Sequence, residues 1–346
     1  MPITLPTISK PDQDARNAAT ARNRILTKPR GALGRIEELM IQLAGCQGRT
    51  EPSCQQVHIL IFAADHGVAA RGVSPFPQAV TAQMCANFAS GGAAISVLAH
   101  ELGATLSVID AGVATPLPAD LPIVHAPVAL GTADFVSGPA MSAEQCDAAL
   151  GLGMAQARAA CEAGCELLIA GEMGIGNTTS AACLLSLLSG LPSAATVGAG
   201  TGAKGPVLAS KLQAVDLALE RVGQCDARGA LEQVGGFEIA AMAGAMLQAA
   251  ACRCPVLVDG FIAGSAAAVA VGLNPALSDY LVFAHLGSER GHRALLGLLK
   301  AKPLLELELR LGEGSGAALA VPLLRHACAL LSGMATFEDA GVSDGK

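Results

Sequence analysis

Short apolar runs alternate with longer amphipathic stretches along most of this chain. The runs Val57–Ala63, Thr105–Ile109, Leu167–Ala170, Val256–Val258 and Leu281–Phe283 are β-branched or leucine-rich. Each stops at a polar or glycine turn: Asp65-His66-Gly67, Asp110-Ala111-Gly112, Gly171-Glu172, Asp259-Gly260 and His285 respectively. Near-continuous apolar strands are those buried on both faces of a sheet. Helical periodicity fills the gaps at Ala79–Leu102, Ala143–Ala163, Thr178–Leu188, Val207–Val222, Glu238–Ala250, Ile262–Val271 and Glu289–Leu299. Strand–helix alternation predicts an α/β fold with a doubly wound parallel sheet. Its ligand site is expected at the carboxyl ends of the strands, where the polar residues collect.

The pattern changes at both ends. Gln13–Ile25 and Leu33–Ala44 read as helices broken at Lys28-Pro29-Arg30-Gly31, and Ala317–Leu331 reads as a terminal helix. These segments are expected to form a small helical domain, residues 1–50 and 317–346, beside a large α/β domain at 51–316. Residues 113–140 are proline-rich without a clear period and read as a long excursion or lid.

Composition narrows the class. The 346 residues are 52% hydrophobic with 40 glycines and no tryptophan, which suits close helix-on-sheet packing. A net charge of −7 with only 22 Lys plus Arg provides no basic field, so no nucleic-acid partner is expected. No run of 18 unbroken apolar residues appears; Phe261–Leu273 is too short and reads as a buried helix, so no membrane partner is expected. The start, Met1-Pro-Ile-Thr-Leu-Pro6, lacks the layout of a signal peptide. Eleven cysteines are scattered without a CxxC pair, which points to reduced thiols and a cytoplasmic location.

Candidate chemistry centres on residues 165–180, where an apolar strand enters a glycine turn and a helix opens with hydroxyl residues. Glycines admit an anion to the backbone, and a helix N-terminus favours negative charge. The spacing Gly171-x4-Gly176-Asn177-Thr178 nearly matches a P-loop, but Asn177 replaces the lysine that reaches a triphosphate. A monophosphate or nucleotide fits better than ATP. Glu172 sits inside this turn, where it faces either a sugar or the loop N–H groups. Glu313 stands between glycines in Arg310-Leu-Gly-Glu-Gly-Ser-Gly316, placed either to act as a base in a cleft or to stabilise a helix dipole. Asp65, Asp110 and Asp259 end strands and could hold ribose hydroxyls or cap loops. The spacing His285-x3-Glu289-x2-His292 could be drawn as a metal site, but Gly287 and Gly291 break the helix it needs; no metal is expected. Gly198–Ala203, followed by Lys204 and Lys211, is a second glycine turn before a helix. Gly72–Gln78 and Val80–Met84 offer a mixed apolar and amide wall for a flat heteroaromatic ring.

Taken together these segments resemble the nicotinate-nucleotide–dimethylbenzimidazole phosphoribosyltransferase family. The resemblance rests on Lys28–Arg35, Ala64–Val68, Gly72–Ser74, Val80–Met84, Gly91–Ile95, Gly171–Thr179, Gly200–Gly202, Gly235–Glu238, Asp259–Phe261 and Arg310–Ala318, in order over most of the chain. It implies a Rossmann-like parallel sheet flanked by helices, a small helical domain from both termini, and a homodimer. It implies transfer of phosphoribose from nicotinate mononucleotide to 5,6-dimethylbenzimidazole, giving α-ribazole 5′-phosphate and nicotinate, without a cofactor. The family's catalytic base falls on Glu313 and its second site glutamate on Glu172. Its phosphate loops fall on Gly174, Ile175, Gly176, Asn177, Thr178 and Thr179 and on Gly200, Thr201 and Gly202, with Lys211 as phosphate partner. Its benzimidazole wall falls on Ser74, Gln83 and Met84. One departure is visible: where relatives carry a serine two places after the histidine, this chain has Gly287, with Ser288 one place later. Two other classes compete, a P-loop-like kinase or NTPase and a non-catalytic nucleotide sensor. Asn177 argues against the first, and two glutamates in glycine settings argue against the second.

Overall fold

The computed structural model describes residues 3–343. The N-terminal Met1-Pro2 and the last three residues of the expected helical domain lie outside them. The strands are β1 (Val57–Ala64), β2 (Thr105–Gly112), β3 (Val124–His125), β4 (Leu167–Met173), β5 (Val256–Val258) and β6 (Leu281–Phe283). They form one parallel sheet in the order β3-β2-β1-β4-β5-β6. The order reverses between β1 and β4, so the connections leaving these two strands diverge and open a crevice at their carboxyl ends. This is the expected α/β fold.

The helices are α1 (Gln13–Ile25), α2 (Arg35–Gln47), α3 (Ala79–Ala89), α4 (Ala94–Leu102), α5 (Ala143–Glu162), α6 (Asn177–Ser189), α7 (Ser193–Thr196), α8 (Pro206–Val222), α9 (Ala227–Val234), α10 (Phe237–Ala251), α11 (Phe261–Leu273), α12 (His292–Leu298) and α13 (Ser315–Gly333). Side chains alternate across the sheet and feed two cores. Leu60, Phe62, Leu168, Ala170, Val256 and Val258 pack with α5, α6, α10 and α11. Ile59, Ile61, Leu167, Ile169 and Leu257 face the other way, against α2, α4 and α13. The chain ends pair directly: Thr27 N–H donates to Ala335 O at 3.1 Å and Phe337 N–H to Ile25 O at 3.0 Å. Arg22 donates to the carbonyls of Leu331, Ser332 and Met334, closing the end of α13. That helix is long and apolar enough to span a bilayer by length and composition, and half of its apolar window is buried inside the protein.

Two expectations are corrected. The helix expected over Ala79–Leu102 is two helices, because Gly91 adopts a left-handed φ of +83° and turns the chain between them. The 113–140 excursion is no lid. Val124 and His125 pair with Ile109 and Asp110 as the edge strand β3, and Val128 N–H and Thr132 N–H bond to Ala111 O and Asp65 O. A two-residue strand is too short to leave a period, and the flanking Pro122 and Pro127 suit a sheet edge.

The glycine and alanine content has a visible use where α5 crosses α10. A Cβ on Gly153 would stand 1.7 Å from Ala241 O, and one on Gly244 2.1 Å from Leu150 O. Neither backbone can yield without separating the helices. Gly153→Ala should therefore cost about 3 kcal/mol of unfolding free energy, read as a lowered denaturation midpoint; an unchanged midpoint would contradict the packing described.

Candidate active site

The site forms where the start of α13 passes over the end of β4. Gly312, Glu313 and Gly314 have φ of +88°, +64° and +79°, three left-handed residues in succession. Glycine adopts this region freely, whereas at Glu313 it costs about 1–2 kcal/mol. The kink lays the Glu313 backbone against β4: a Cβ on Gly171 would stand 2.7 Å from the Glu313 carbonyl. The Glu313 N–H donates to Glu172 Oε1 at 3.4 Å, so the two glutamates are joined through backbone.

Both carboxyls are shielded. Glu313 is 7% exposed, and its Oε2 has no protein partner. Burial raises its pKa; the N–H of Ile95 in the first turn of α4 works against this, and Asp259 adds to it. Glu172 is pushed up to about 8 by burial, with Glu238 and Asp259 adding, while the Asn177 amide and the Glu313 N–H oppose. At neutral pH Glu172 therefore holds a proton. Asn177, in the slot of the P-loop lysine, donates its side-chain amide to Glu172 Oε2.

The loop after β4 is supported from beneath. Ile175 N–H donates to Thr81 Oγ1 at 3.2 Å, and Thr81 donates to Asp65 Oδ1 at 2.7 Å. His66 Nε2 and Glu238 Oε1 lie 2.6 Å apart, fully buried. A Cβ on Gly236 would strike this pair, at 2.3 Å from His66 Cε1 and 2.5 Å from Glu238 Oε2. That contact accounts for Gly236, whereas a Cβ on Gly235 would stand 2.3 Å from Leu231 O. Thr178 Oγ1, in the first turn of α6, accepts from Lys211 Nζ at 2.7 Å, and the same ammonium donates to Gly198 O at 3.2 Å. Lys211 therefore ties the two glycine loops together from α8. Burial lowers its pKa to about 8, with Glu289 opposing.

These elements enclose a cavity of about 350 Å³, a size that suits small organic ligands. Glu172, Gly174, Ile175, Asn177 and Thr178 line one side, Gly200 and Thr201 another, and Glu313, Ser315 and Asp259 the floor. Phe76, Val80, Met84, Leu98, Leu311 and Leu319 supply an apolar wall. Besides Glu313 Oε2, the buried atoms Ser315 Oγ, His285 Nδ1, His292 Nε2 and Glu289 Oε2 lack protein partners. Buried polar atoms are normally paired, so five around one cavity mark a place for a polar ligand. His292 accepts the Gly287 N–H at Nδ1, and burial, with His285, pushes its pKa down to about 4, so its proton sits on Nε2.

The remaining sequence-derived candidates sit behind or beside the cavity. Gly176 caps α6 at φ +102°, Thr179 is fully buried beneath the loop, Gly202 lies in the second turn off the cavity lining, and Lys211 lies behind that turn. On α3, Val80 and Met84 are four residues apart and share the cavity face; Gln83, about 100° away around the helix, is exposed. Ser74 belongs to a separate surface pocket with Phe76 and Gln78. Asp65 and Asp110 spend their oxygens on Thr81, Ala114, Gly112 and Val113 and do not line the cavity. Asp259 does, accepting the Ala317 N–H at 2.8 Å with His285 Nε2 at 3.5 Å. Gly287 has a packing cause: a Cβ there would stand 3.0 Å from Leu309 O and 3.1 Å from His292 Nδ1. Ser288 turns outward and donates to Glu308 O. Leu98 and Leu309 were not legible as site residues, since each reads as an ordinary apolar position, whereas Arg310 and Leu311 fall in the segment singled out around Glu313.

Residues 8–342 match the model of a family described as phosphoribosyltransferase. The nicotinate-nucleotide–dimethylbenzimidazole phosphoribosyltransferase of Pseudomonas aeruginosa (strain UCBPP-PA14) is 54% identical over 98% of this chain and 97% of its own. The chain belongs to the nicotinate-nucleotide–dimethylbenzimidazole phosphoribosyltransferase family. The Azotobacter vinelandii member is 55% identical over 96% of both chains. The crystal structure of CobT from Thermus thermophilus superposes with a TM-score of 0.92 at 45% identity, covering 96% of this chain and all of that one. The fold and the enzyme class, a pentosyltransferase, follow from membership in this family.

Because the folded-state pKa of Glu172 lies near 8 against an ordinary 4.5, the native protein holds a proton that the unfolded chain releases between those values. Stability from this group is therefore lost as pH rises through that window. Glu172→Gln should remove the dependence, so the variant gains on the parent from pH 5 to pH 8 in denaturation midpoint. A constant difference between the two proteins would contradict the buried, protonated Glu172.

Proposed function

We propose that this enzyme transfers phosphoribose from nicotinate mononucleotide to 5,6-dimethylbenzimidazole, giving α-ribazole 5′-phosphate and nicotinate in the assembly of the cobalamin nucleotide loop. The observation that carries the reading is Glu313: a shielded carboxylate with an unpartnered oxygen facing a cavity that has an apolar wall and two glycine loops. The relatives' names supply the substrates.

In this reading the 5′-phosphate lies against the first turn of α6 and the Gly200–Thr201 turn, with Lys211 as the cation beneath. The ring N–H of the benzimidazole faces Glu313 Oε2. As the other ring nitrogen attacks C1′, its electron pair forms the new C–N bond and the proton passes to Glu313. The bond to the nicotinate ring breaks, and its electrons neutralise the pyridinium, so the leaving group needs no acid. Attack opposite that ring inverts C1′ and gives the α-anomer without a covalent intermediate. Holding both rings about C1′ is the larger part of the task. The step calls on no metal or redox cofactor.

We further propose that residues 1–50 and 317–346 act as a small helical domain beside the large 51–316 domain that holds Glu313, and that the enzyme works as a cytoplasmic homodimer. Phe76, Leu311 and Leu319 are 47%, 58% and 42% exposed at the cavity mouth, a surface that a second copy would cover. The described cysteines are all free, which supports a reducing compartment.

Incubation with nicotinate mononucleotide and 5,6-dimethylbenzimidazole should yield nicotinate and α-ribazole 5′-phosphate in equal amounts by chromatography. Glu313→Gln should keep the fold and lower turnover by roughly 10²–10⁴, the usual weight of a general base. Near-normal turnover in that variant would refute the base, and failure of the parent to form the nucleotide would refute the substrates.

A further inference from the structure

Four thiols meet near the amino ends of β4 and β5, at the end of the sheet opposite the cavity. Cys161 lies in the last turn of α5, Cys165 two residues before β4, and Cys252 and Cys254 flank Arg253 between α10 and β5. Arg253 is a non-glycine residue at φ +60°, and this turn brings Cys252 and Cys254 to one pocket. The pocket, about 280 Å³, is lined by all four thiols together with Arg49 and Arg253. Cys254 Sγ lies 3.6 Å from Cys165 Sγ. Cys252 is exposed, Cys161 and Cys165 are half-buried, and Cys254 is buried. The other sulfur pair, Cys54 and Cys328 at 3.9 Å, is enclosed in the core and offers no such access.

We propose that this pocket is a thiol oxidation site for a small hydroperoxide, with Cys161 as the attacking sulfur and Cys254 as the thiol that resolves it. In the first step the Cys161 thiolate attacks the distal peroxide oxygen. An S–O bond forms, the O–O bond breaks, and the departing alkoxide or hydroxide takes a proton from water. In the second step Cys254 sulfur attacks the sulfenic acid. The S–S bond forms, the S–O bond breaks, and hydroxide leaves as water with the proton from Cys254. Two thiols lose two electrons in all, and the peroxide gains them. Cys165, beside Cys254, can then exchange: its thiolate attacks Cys254 Sγ, displaces the Cys161 thiolate and leaves a Cys165–Cys254 bond, its own proton having gone to solvent.

The environment of Cys161 supports its role. The Cys254 thiol directed at it brings its pKa down to about 7, burial opposes this, and the Cys252 thiol assists. Cys254 is shifted upward for the same reason, as the donor to Cys161 and Cys165 and by burial. Cys225 provides an internal reference. It is half-buried outside the pocket, and burial, with Asp226 beside it, raises its pKa. At neutral pH Cys161, its pKa lowered, is thiolate to a larger extent than Cys225, its pKa raised, and the lower basicity of Cys161 takes back part of that advantage. A rate ratio of roughly tenfold remains.

The test uses the full-length protein at pH 7 with a few equivalents of hydrogen peroxide, iodoacetamide quenching and peptide mass spectrometry. The expected result is loss of free Cys161 roughly tenfold faster than Cys225, with a peptide cross-linked through Cys254 to Cys161 or Cys165 and reversed by a dithiol. Cys161→Ser should slow oxidation of the pocket to the Cys225 rate, and Cys254→Ser should leave Cys161 as a sulfenic acid trapped by dimedone. Oxidation of Cys161 no faster than Cys225, or a sulfinic acid with no link to Cys254, would overturn the proposal.

Discussion

Everything at the active site depends on one close approach, the backbone of Glu313 lying directly on β4 at Gly171. No side chain larger than hydrogen fits between them. The contact fixes the height at which α13 begins, and Asp259 sets its first turn by accepting the Ala317 N–H. The left-handed run at 312–314 makes the approach possible and places the strained residue at the carboxylate itself. Strain held by surrounding packing is common where a side chain must be aimed rather than left to find its own rotamer.

The electrostatics follow from the same geometry. Glu172, Glu313, Asp259 and Glu238 are gathered behind a wall that excludes water, so neither Glu172 nor Glu313 behaves as an ordinary surface acid. The arrangement divides these two by environment. Glu172, with Glu238 and Asp259 nearby, is pushed up to about 8 and keeps its proton at neutral pH, whereas Glu313 has one oxygen without a protein partner and an N–H at the start of α4 favouring its charge. A neutral acid beside this glycine turn would not repel the phosphate proposed to bind there, which removes the conflict that a charged Glu172 would create. Lys211 balances the loops from behind, in place of the lysine that a P-loop would carry at Asn177.

Much of this was legible in the sequence where the signal is local. The five strands that carry the crevice are continuous apolar runs, and Val256–Val258 and Leu281–Phe283 have the expected bounds. The glycines around Glu313 and in the Gly174–Thr179 turn announced unusual backbone before any fold was known. The losses occur where contact is non-local. Leu98 reaches the cavity only because α4 and the segment before α13 converge on it, and nothing in its own neighbours says so. Val124 joins the sheet through pairing with Ile109, too briefly to leave a period. The His66–Glu238 pair joins residues 172 positions apart, so Gly235–Glu238 could be noticed as a motif but not explained. Gly287, which reads as a departure from the family pattern, lies in close contact with the carbonyl of Leu309, a neighbour only the fold supplies.

The most direct measurement is a crystal structure of the enzyme with 5,6-dimethylbenzimidazole and a ribose phosphate bound together. The account predicts a ring nitrogen within hydrogen-bonding distance of Glu313 Oε2 and the phosphate against the first turn of α6. A heterocycle seated elsewhere, with the Glu313 carboxylate turned away from it, would contradict the central claim.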